Sequence, residues 1–357
     1  MKIINTPQTH TKTSPLGFSL IELCATLVIM VVLVGAITPS LAQIRSDART
    51  AGSTANLMQI GQARDQYAAD NKDRIYTYTW RAGESYVMPD GRIRNESTDM
   101  GAAQRQNQEI IMRRTGRTGG VDKILSFSSR IPHRRFVHLV LMDYMAGDDD
   151  ELFPNPVFAD PEDGDLLNWQ EQPEIYNVPS GIPYAGGEAS LGYEDDPGLQ
   201  QLSVRQRWAF GTSYFSVPYA WQPDGIKGES VYGPIASTPH LYTGSNVDIS
   251  GRFMNQVLFP SKKVHLFEEF DREQKRLPYF AYAHAKPEKL MFDGSINTQT
   301  SGQSNPSVNP HEPASTWRQV YVPLHVFPIP VDGLGSNHEL NMRYMWTHQG
   351  LQGADYD

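Results

Sequence analysis

The sequence is poor in cysteine, in long apolar runs and in basic residues, and each shortage excludes a class of protein. Its one cysteine, Cys24, excludes an intramolecular disulfide and leaves the redox compartment open. Outside one N-terminal run no stretch approaches about eighteen apolar residues, which excludes a polytopic membrane protein. The 31 Lys and Arg face 40 Asp and Glu, and the formal charge of -9 argues against general affinity for nucleic acid.

Signatures of the common enzyme classes are absent as well. The sequence contains no Gly-X-Ser-X-Gly, no His-Glu-X-X-His, no phosphate-binding loop and no Cys/His cluster with the spacing of metal ligands. Its ten histidines are scattered, which is typical of surface or satisfied interior residues. We therefore expect a protein without enzymatic activity and without a bound cofactor. The 357 residues suffice for one large domain or two ordinary ones.

The one long apolar run lies near the N-terminus. Residues 18–37 carry a single charge, Glu22, and as a helix they would span ~30 Å, about one hydrocarbon core. The preceding residues include Lys2 and Lys12 and no acid, which predicts that the N-terminus stays cytoplasmic. An ionised carboxylate in hydrocarbon costs at least ~2.5 kcal/mol, so the presence of Glu22 requires an explanation.

Three interpretations of this run compete. A secretory signal peptide could be cleaved after Ala42, but its apolar core would be too long and Glu22 interrupts it. A plain membrane anchor explains the length and leaves the acid without a purpose. In the third interpretation, cleavage after Gly17 makes Phe18 the new N-terminus, and the charged amine of one subunit pairs with Glu22 of its neighbour. Such a pair would also fix the axial register between subunits.

Residues 17–22, which read Gly-Phe-Ser-Leu-Ile-Glu, resemble the cleavage and methylation motif of type IV prepilins. The resemblance implies a membrane aspartyl peptidase, the prepilin peptidase, that cuts after Gly17 and N-methylates Phe18. Pro39, the twenty-second residue counted from Phe18, falls where pilin helices often carry a kinking proline. Leu16 departs from the motif, because many members of the family place Lys or Arg directly before the glycine.

The helix is expected to continue beyond the membrane. Small and apolar residues recur at helical spacing along one face, namely Leu41, Ile44, Ala48, Ala51, Ala55 and Met58. Arg64 and most other charged residues fall elsewhere, and Asn71 marks the expected stop. The pattern predicts one helix over 18–71, roughly 80 Å long and kinked near Pro39, whose second half forms the spine of a head.

A second signature follows on this helix. Residues 56–63 read Asn-Leu-Met-Gln-Ile-Gly-Gln-Ala and, with Tyr67, resemble a stretch found in many large-headed bacterial pilin-like proteins. Both resemblances imply four parts: a leader over 1–17, a transmembrane and assembly helix over 18–38, its amphipathic continuation over 39–74, and a large head over 75–357. The expected fold class is α+β, with the long helix packed on an antiparallel sheet.

Several stretches of the head are expected to form strands. Residues 207–210, 212–217, 255–259 and 264–267 have strand composition, and 136–142 predict a buried strand or short helix.

His284 and the later Asp293-Gly294 resemble a His…Asp-Gly motif near the C-terminus of the large-headed proteins, with a spacer one residue shorter than usual. Asp-Gly after an apolar strand first indicates a hairpin turn; a catalytic or metal-binding pair is the alternative.

The head also has an uneven charge distribution. Eleven Lys and Arg face six Asp and Glu over 81–135, whereas 143–198 contain fifteen acids and neither Lys nor Arg. These segments are either solvated loops or complementary patches that attract between neighbouring subunits. Four acids invite a calcium hypothesis, although their spacing fits no EF-hand loop and solvated acidic loops are the simpler interpretation. The candidate calcium ligands are Asp160, Glu162, Asp163 and Asp165.

The resemblance implies a structural subunit of a type IV pilus-like or type II secretion pseudopilus filament. Its partners would be the prepilin peptidase and like subunits that pack through the N-terminal helix. The chain would cross the bacterial inner membrane once, with its head periplasmic or extracellular. The alternative is a membrane-anchored envelope module whose head recognises glycan, protein or secretion cargo.

Overall fold

The structure is a computed structural model in which part of the chain is described. The described residues are 19–119, 124, 136–145, 153–171, 208–221, 251–272, 278–307, 320–321, 340–341 and 343–357. They divide between two compact units, Met1–Ala48 and Arg49–Asp357, and the boundary falls within one helix. Helices and antiparallel sheets are both present, so the expectation of a mixed α and β fold is confirmed.

The first helix, α1, spans Leu20–Asp70 and contains 51 residues. A capping box begins it: the backbone N–H of Ser19 donates to Glu22 Oε2 at 2.8 Å, and the N–H of Glu22 donates to Ser19 Oγ at 3.2 Å. At the other end the side-chain amide of Asn71 donates to the carbonyl of Tyr67 at 2.8 Å. Lys72 then has a φ of 58°, a left-handed conformation that a right-handed helix cannot contain. The predicted end at Asn71 is confirmed to within one residue.

The buried face of α1 in the second unit differs from the predicted one. Ala51 and Ala55 are exposed, and Met58 keeps 49% of its surface. The face that is buried instead consists of Ser53, Leu57, Ile60, Gly61, Ala63, Arg64, Tyr67 and Ala68. The prediction was wrong because two polar side chains, Ser53 and Arg64, find buried hydrogen-bond partners and therefore lie inside.

Helix α1 lies on a four-stranded antiparallel sheet. Its strands are β3 (Tyr214–Ser216), β4 (Val264–Glu268), β5 (Lys289–Met291) and β6 (Ile296–Asn297), in the order β3-β4-β5-β6. Every residue of β4 is buried, which is expected for a central strand covered on both faces.

Successive side chains of the sheet enter two different cores. Tyr214, Leu266 and Leu290 belong to the core that contains Leu57, Ile60 and Tyr67 of α1. Their strand neighbours Phe215, Phe267 and Met291 belong to the second core, together with Tyr344, Trp346 and Tyr356 near the C-terminus. The alternation follows from the two-residue period of a strand, so the sheet is a middle layer between α1 and the C-terminal segment.

Other elements surround this centre. A small hairpin pairs β1 (Ser85–Val87) with β2 (Ile93–Asn95), and helix α2 follows at Asp99–Thr115. Two short helices, α3 (Met142–Met145) and α4 (Gly164–Glu171), precede the central sheet in the chain. A last pair, β7 (Val320–Tyr321) and β8 (Leu340–Asn341), follows the sheet.

The strand predictions are confirmed in part. Strand β3 lies within the predicted 212–217, and β4 covers the predicted 264–267 and extends one residue further, to Glu268. Residues 208–210 and 254–256 form 3₁₀ turns instead. Residues 137–141 form a 3₁₀ helix, which agrees with the helical alternative predicted for 136–142. At 254–256 the chain turns because the N–H of Phe253 donates to Gln256 Oε1 and the N–H of Val257 donates to the carbonyl of Met254. Arg207 lies outside the described residues.

The Asp293-Gly294 hairpin turn is confirmed. The N–H of Gly294 donates to the carbonyl of Met291 at 3.1 Å, and the N–H of Met291 donates to the carbonyl of Ser295 at 2.8 Å. Gly294 has a φ of 87°, where a residue with a side chain would be strained. Strands β5 and β6 therefore meet through a tight turn.

Gly61 lets α1 approach β5 closely. A methyl group added to Gly61 would lie 3.3 Å from Leu290 Cδ1, closer than ordinary contact. We expect Gly61→Val to destabilise the head by ~1–3 kcal/mol through overpacking, although valine favours a helix slightly more than glycine. Urea denaturation of the full chain in detergent measures this. Gln62→Val, at an exposed position of the same turn, is the matched control and should change the midpoint little.

Candidate functional site

The first unit contains an apolar helical segment. Over Leu20–Thr38, 19 residues of α1 have a mean hydropathy of 2.7, and none of them is buried. Among the described residues this is the one helix that is long and apolar enough to cross a membrane, and a signal sequence would have the same properties. A single N-terminal span is consistent with single-pass anchoring.

The surface of this segment is almost purely apolar. Its large aliphatic side chains keep between half and four-fifths of their surface, including Leu20 at 78%, Ile21 at 80% and Val31 at 70%. The hydroxyl of Thr26 donates to the carbonyl of Glu22 at 2.6 Å, and that of Thr38 donates to the carbonyl of Val34 at 2.7 Å. Polar hydroxyls satisfied by their own helix suit a hydrocarbon environment.

Glu22 is the exception on this surface. Its carboxylate accepts the N–H of Ser19 and thereby completes the capping box at the start of α1. The sequence contained the signal for this role, since Ser-X-X-Glu before an apolar run is a capping-box pattern. The proposed amine partner, Phe18, and the cleavage site, Gly17, lie outside the described residues. Pro39 lies inside α1, and the kink expected there stays a prediction.

Two of the calcium candidates are engaged by guanidinium groups. Arg49 reaches Glu162 at 3.2 Å, and Arg272 reaches Asp163 at 2.8 Å. Asp160 Oδ1 accepts the N–H of Glu162 at 2.6 Å. The side chain of Asp165 lies outside the described part of the chain. Across the described residues no group of three or more His, Cys, Asp or Glu could hold a metal ion. The acids therefore serve as ion-pair and turn partners here.

The basic and acidic segments meet within the chain where both are described. Arg113 and Arg114, at the end of α2, contact Asp143 at 3.4 and 2.5 Å. Partial burial pushes the pKa of Asp143 upward, but the hydrogen bond from Arg114 and the charge of Arg113 outweigh it and hold the pKa below its usual value. At this position opposite charges pair within one chain, and the pair is too exposed to contribute more than ~1 kcal/mol.

His284 and Asp293 have separate local roles. The His284 ring lies 5.7 Å from that of Tyr282 and is exposed. Asp293 Oδ1 accepts the N–H of Ser295 at 3.0 Å and its hydroxyl at 2.6 Å, as an aspartate does in a tight turn. These contacts favour the structural interpretation of the Asp-Gly motif.

Sequence reasoning missed a set of buried charges beside α1. Glu268, the last residue of β4, retains 4% of its surface, and Asp160 likewise retains 4%. Arg64, with 1% exposed, donates to the carbonyl of Met291 at 3.0 Å. His265 lies 3.4 Å from Arg64 through Nδ1, and burial, then the Arg64 charge, lower the pKa of His265 well below its usual value. The sequence did contain one signal for these buried groups, namely ionisable residues in an otherwise apolar strand, as in Val-His-Leu-Phe-Glu over 264–268.

A scan against models of known protein families finds no match, and neither a search of curated proteins nor a search of solved structures finds a significant one.

Proposed function

We propose that this chain is a structural subunit of a type IV pilus-like or type II secretion pseudopilus filament. The observation that carries the proposal is the dual character of α1. Over Leu20–Thr38 the helix presents an exposed apolar surface, and over its last five turns the same helix supplies core residues of the head. A helix of this kind can anchor a head in a membrane and later pack against identical helices.

The apolar segment suits both the membrane-anchored state and the assembled state. In hydrocarbon the helix satisfies its backbone groups internally after the first turn, and the capping box satisfies the N–H groups of Ser19 and Glu22 at its start. In a bundle of like helices its aliphatic side chains would cover one another, which is favourable because it removes apolar surface from solvent. The chain is then a single-pass protein of the bacterial inner membrane before assembly, with its head periplasmic or extracellular.

The prepilin-like motif supplies the processing step. Prepilin peptidase would cut after Gly17, and the methylated amine of Phe18 would face Glu22 of the next subunit. Glu22 caps its own helix through Oε2, so its carboxylate lies at the first turn, close in sequence to the new N-terminus. The positive end of the helix dipole and the neighbour's amine would both favour its ionised form.

The head would supply identity and spacing in the filament. Tyr67 and Tyr76 meet edge to face at 6.5 Å, and the α1 side chains Leu57 and Ile60 are almost completely buried. A head fixed to its helix in this way moves as one body with the helix over 49–70. Subunits that align this part of their helices would therefore align their heads, which is the property that a filament subunit needs.

Mass spectrometry of the mature N-terminus tests the proposal. We expect the protein from its native cell to begin with N-methylated Phe18. A start at Gln43 would show release after a signal peptide, and an intact Met1 would show a simple anchor, which favours the binding-module alternative. Gly17→Val should abolish processing, whereas Gly35→Val, at an open position inside the apolar segment, should leave it intact.

A further inference from the structure

A buried amine and a buried carboxyl group, those of Lys263 and Asp355, meet between the start of β4 and the C-terminal segment. Lys263 directly precedes β4 and is fully buried, and Asp355 keeps 1% of its side-chain surface. The Lys263 amine lies 3.3 Å from Asp355 Oδ1. An amine and a carboxyl group in contact are a salt bridge, and in a suitable site they are also the reactants of an amide bond.

The backbone holds the two side chains at this distance. The N–H groups of Asp355 and Tyr356 donate to the carbonyl of Lys262 at 2.8 and 3.3 Å. From the other side, the N–H of Asn305 donates to the carbonyl of Asp355 at 2.7 Å. Both side chains therefore start from fixed points of the chain. Well-oriented groups within one molecule react as if present at concentrations of about 10⁵ M or more.

A tight turn brings a hydroxyl group to the same place. A methyl group added to Gly353 would overlap the carbonyl oxygen of His348, so the chain returns on itself here as only glycine allows. The turn places the Thr347 hydroxyl beside the pair, where it accepts a hydrogen bond from the Lys263 amine and donates one to Asp355 Oδ1. A line of hydrogen bonds thus runs from the amine to one carboxyl oxygen.

The two oxygens of Asp355 have different partners. Oδ1 faces the Lys263 amine and the Thr347 hydroxyl, whereas Oδ2 accepts the backbone N–H of Val264 at 2.8 Å. A backbone N–H that points at a carboxyl oxygen stabilises the negative charge that develops there when a nucleophile attacks the carbon. The site therefore distinguishes an oxygen that can stay as a carbonyl from one that can leave.

The surroundings disfavour charge. The Lys263 ammonium lies 5.6 Å from the centroid of the Tyr219 ring, which packs edge to face on Trp346 at 5.4 Å. Burial raises the pKa of Asp355, although Lys263, Thr347 and the N–H of Val264 oppose the change. Amide formation needs a neutral amine and a protonated carboxyl group, and one proton transfer within the pair produces both.

We propose that Lys263 Nζ and Asp355 Cγ become joined by an intramolecular amide bond, which ties the C-terminal segment covalently to the start of β4. The proposal is independent of the filament function, because all of its residues lie in the head. The ion pair is then the state that precedes the reaction.

The reaction is a condensation that balances within the site. One proton passes from the Lys263 ammonium to Asp355 Oδ1, to which the amine is linked directly and through Thr347. The lone pair of the neutral amine forms the Nζ–Cγ bond, and the π electrons of the carbonyl move to Oδ2. When the carbonyl re-forms, the Cγ–Oδ1 bond breaks, and Oδ1 takes a second proton from the nitrogen and leaves as water. No oxidant, reductant or activating group is consumed.

The product suits the same surroundings. The amide oxygen, Oδ2, still accepts the N–H of Val264, and the new amide N–H can donate to the Thr347 hydroxyl, which now faces the amine. Both charges disappear, and with them the cost of keeping an ion pair away from water. Every polar group of the amide therefore has a partner that is already in place.

A second buried amine provides a comparison. Lys289 is also fully buried, but its amine donates to the backbone carbonyls of Pro287 at 2.5 Å and Gln299 at 2.9 Å. A peptide carbonyl has no hydroxyl to release as water. Lys289 should therefore remain a free amine in a chain in which Lys263 has reacted.

Tryptic mapping of the full chain, unfolded in urea before digestion, tests the proposal. Trypsin does not cut after an amidated lysine, so peptide 263–272 should be recovered joined to peptide 344–357. The mass of the joined species should be lower than the sum of the two by one water molecule. An unreacted chain would give 264–272 and 344–357 as separate peptides. Cleavage after Lys289 is the internal control.

Variants assign the bond to its two residues. Lys263→Arg keeps the positive charge but supplies a guanidinium that stays protonated, so the joined peptide should disappear. Asp357→Ala, two residues from Asp355 and exposed, should leave it unchanged.

The intact mass of the wild type provides a measurement that depends on no variant. It should lie one water molecule below the mass calculated from the sequence and the observed N-terminus. A wild type that gives peptide 264–272 and the full calculated mass would overturn the proposal. So would a loss of water that persists in Lys263→Arg, as cyclisation at Asp293-Gly294 would produce.

Discussion

Glu22→Val is expected to abolish filament assembly while the protein stays in the membrane. Removing a carboxylate from the apolar segment lowers the cost of insertion, which is ~2.5–3.5 kcal/mol for a charge at the centre of a helix and smaller near its end, so insertion should be unchanged or improved. Assembly should fail because the amine of the neighbouring Phe18 would enter the helix bundle without a partner. Crosslinking of the membrane fraction and shearing of surface filaments measure the two effects separately.

The capping box makes a sharper version of this experiment possible. Glu22→Val removes the charge and the half of the capping box that binds the N–H of Ser19, whereas the Ser19 hydroxyl can still accept the backbone N–H of residue 22. Glu22→Gln keeps a side-chain oxygen that can accept the N–H of Ser19 and removes only the charge. Ser19→Ala removes the hydroxyl that accepts the N–H of Glu22 and keeps the charge.

The three variants separate the two roles of Glu22. If the charge pairs with the neighbour's amine, Glu22→Gln should fail like Glu22→Val, and Ser19→Ala should assemble. If the acid serves only as a cap, Glu22→Gln should assemble normally, and that result would contradict the pairing role. In the described chain the cap is the contact that exists, so the intersubunit pair needs this test.

The helix was the most predictable part of the fold. Its end at Asp70 lies one residue from the predicted stop, because Asn71 breaks the helix by bonding back to Tyr67. Its buried face was not predictable from apolar spacing. Ser53 and Arg64 look like surface residues in the sequence, and only the sheet brings Glu268 and the Met291 carbonyl to them. Partners more than 200 residues away leave no local signal.

The strands were predictable only where the chain alternates between two cores. Tyr214-Phe215 and Leu266-Phe267 place large side chains on both faces, and both pairs lie in the central sheet. Met254–Gln256 overlaps the stretch 255–259 that was predicted as a strand, but a local hydrogen bond from the N–H of Phe253 to Gln256 competes with strand pairing. The burial of Glu268 was missed for the same reason as the α1 face, since its partner Ser53 lies 215 residues away in sequence.

Asp355→Ala is the substitution with the largest expected effect on stability. Asp355 keeps 1% of its side-chain surface, and its Oδ1 lies 3.3 Å from the ammonium of Lys263, which is fully buried. Asp355 also accepts the N–H of Val264 at 2.8 Å and the hydroxyl of Thr347. The variant would leave a buried ammonium without its counterion, a loss that typically costs ~3–5 kcal/mol. Urea denaturation of the detergent-solubilised chain measures it, and Asp357→Ala, two residues on and exposed, should change little.

The double variant Lys263→Met with Asp355→Leu should recover the part of this loss that comes from the buried ammonium, although the N–H of Val264 still loses its acceptor. Burial raises the pKa of Asp355 even though Lys263 lies beside it, which indicates that desolvation of the carboxylate outweighs the attraction. An apolar pair of similar volume avoids that desolvation, and such replacements are often neutral or stabilising. The surroundings suit it, because the Lys263 ammonium lies 5.6 Å from the Tyr219 ring inside an aromatic core. If the double variant is as unstable as Asp355→Ala alone, the pair holds the C-terminal segment by its charge rather than by its volume.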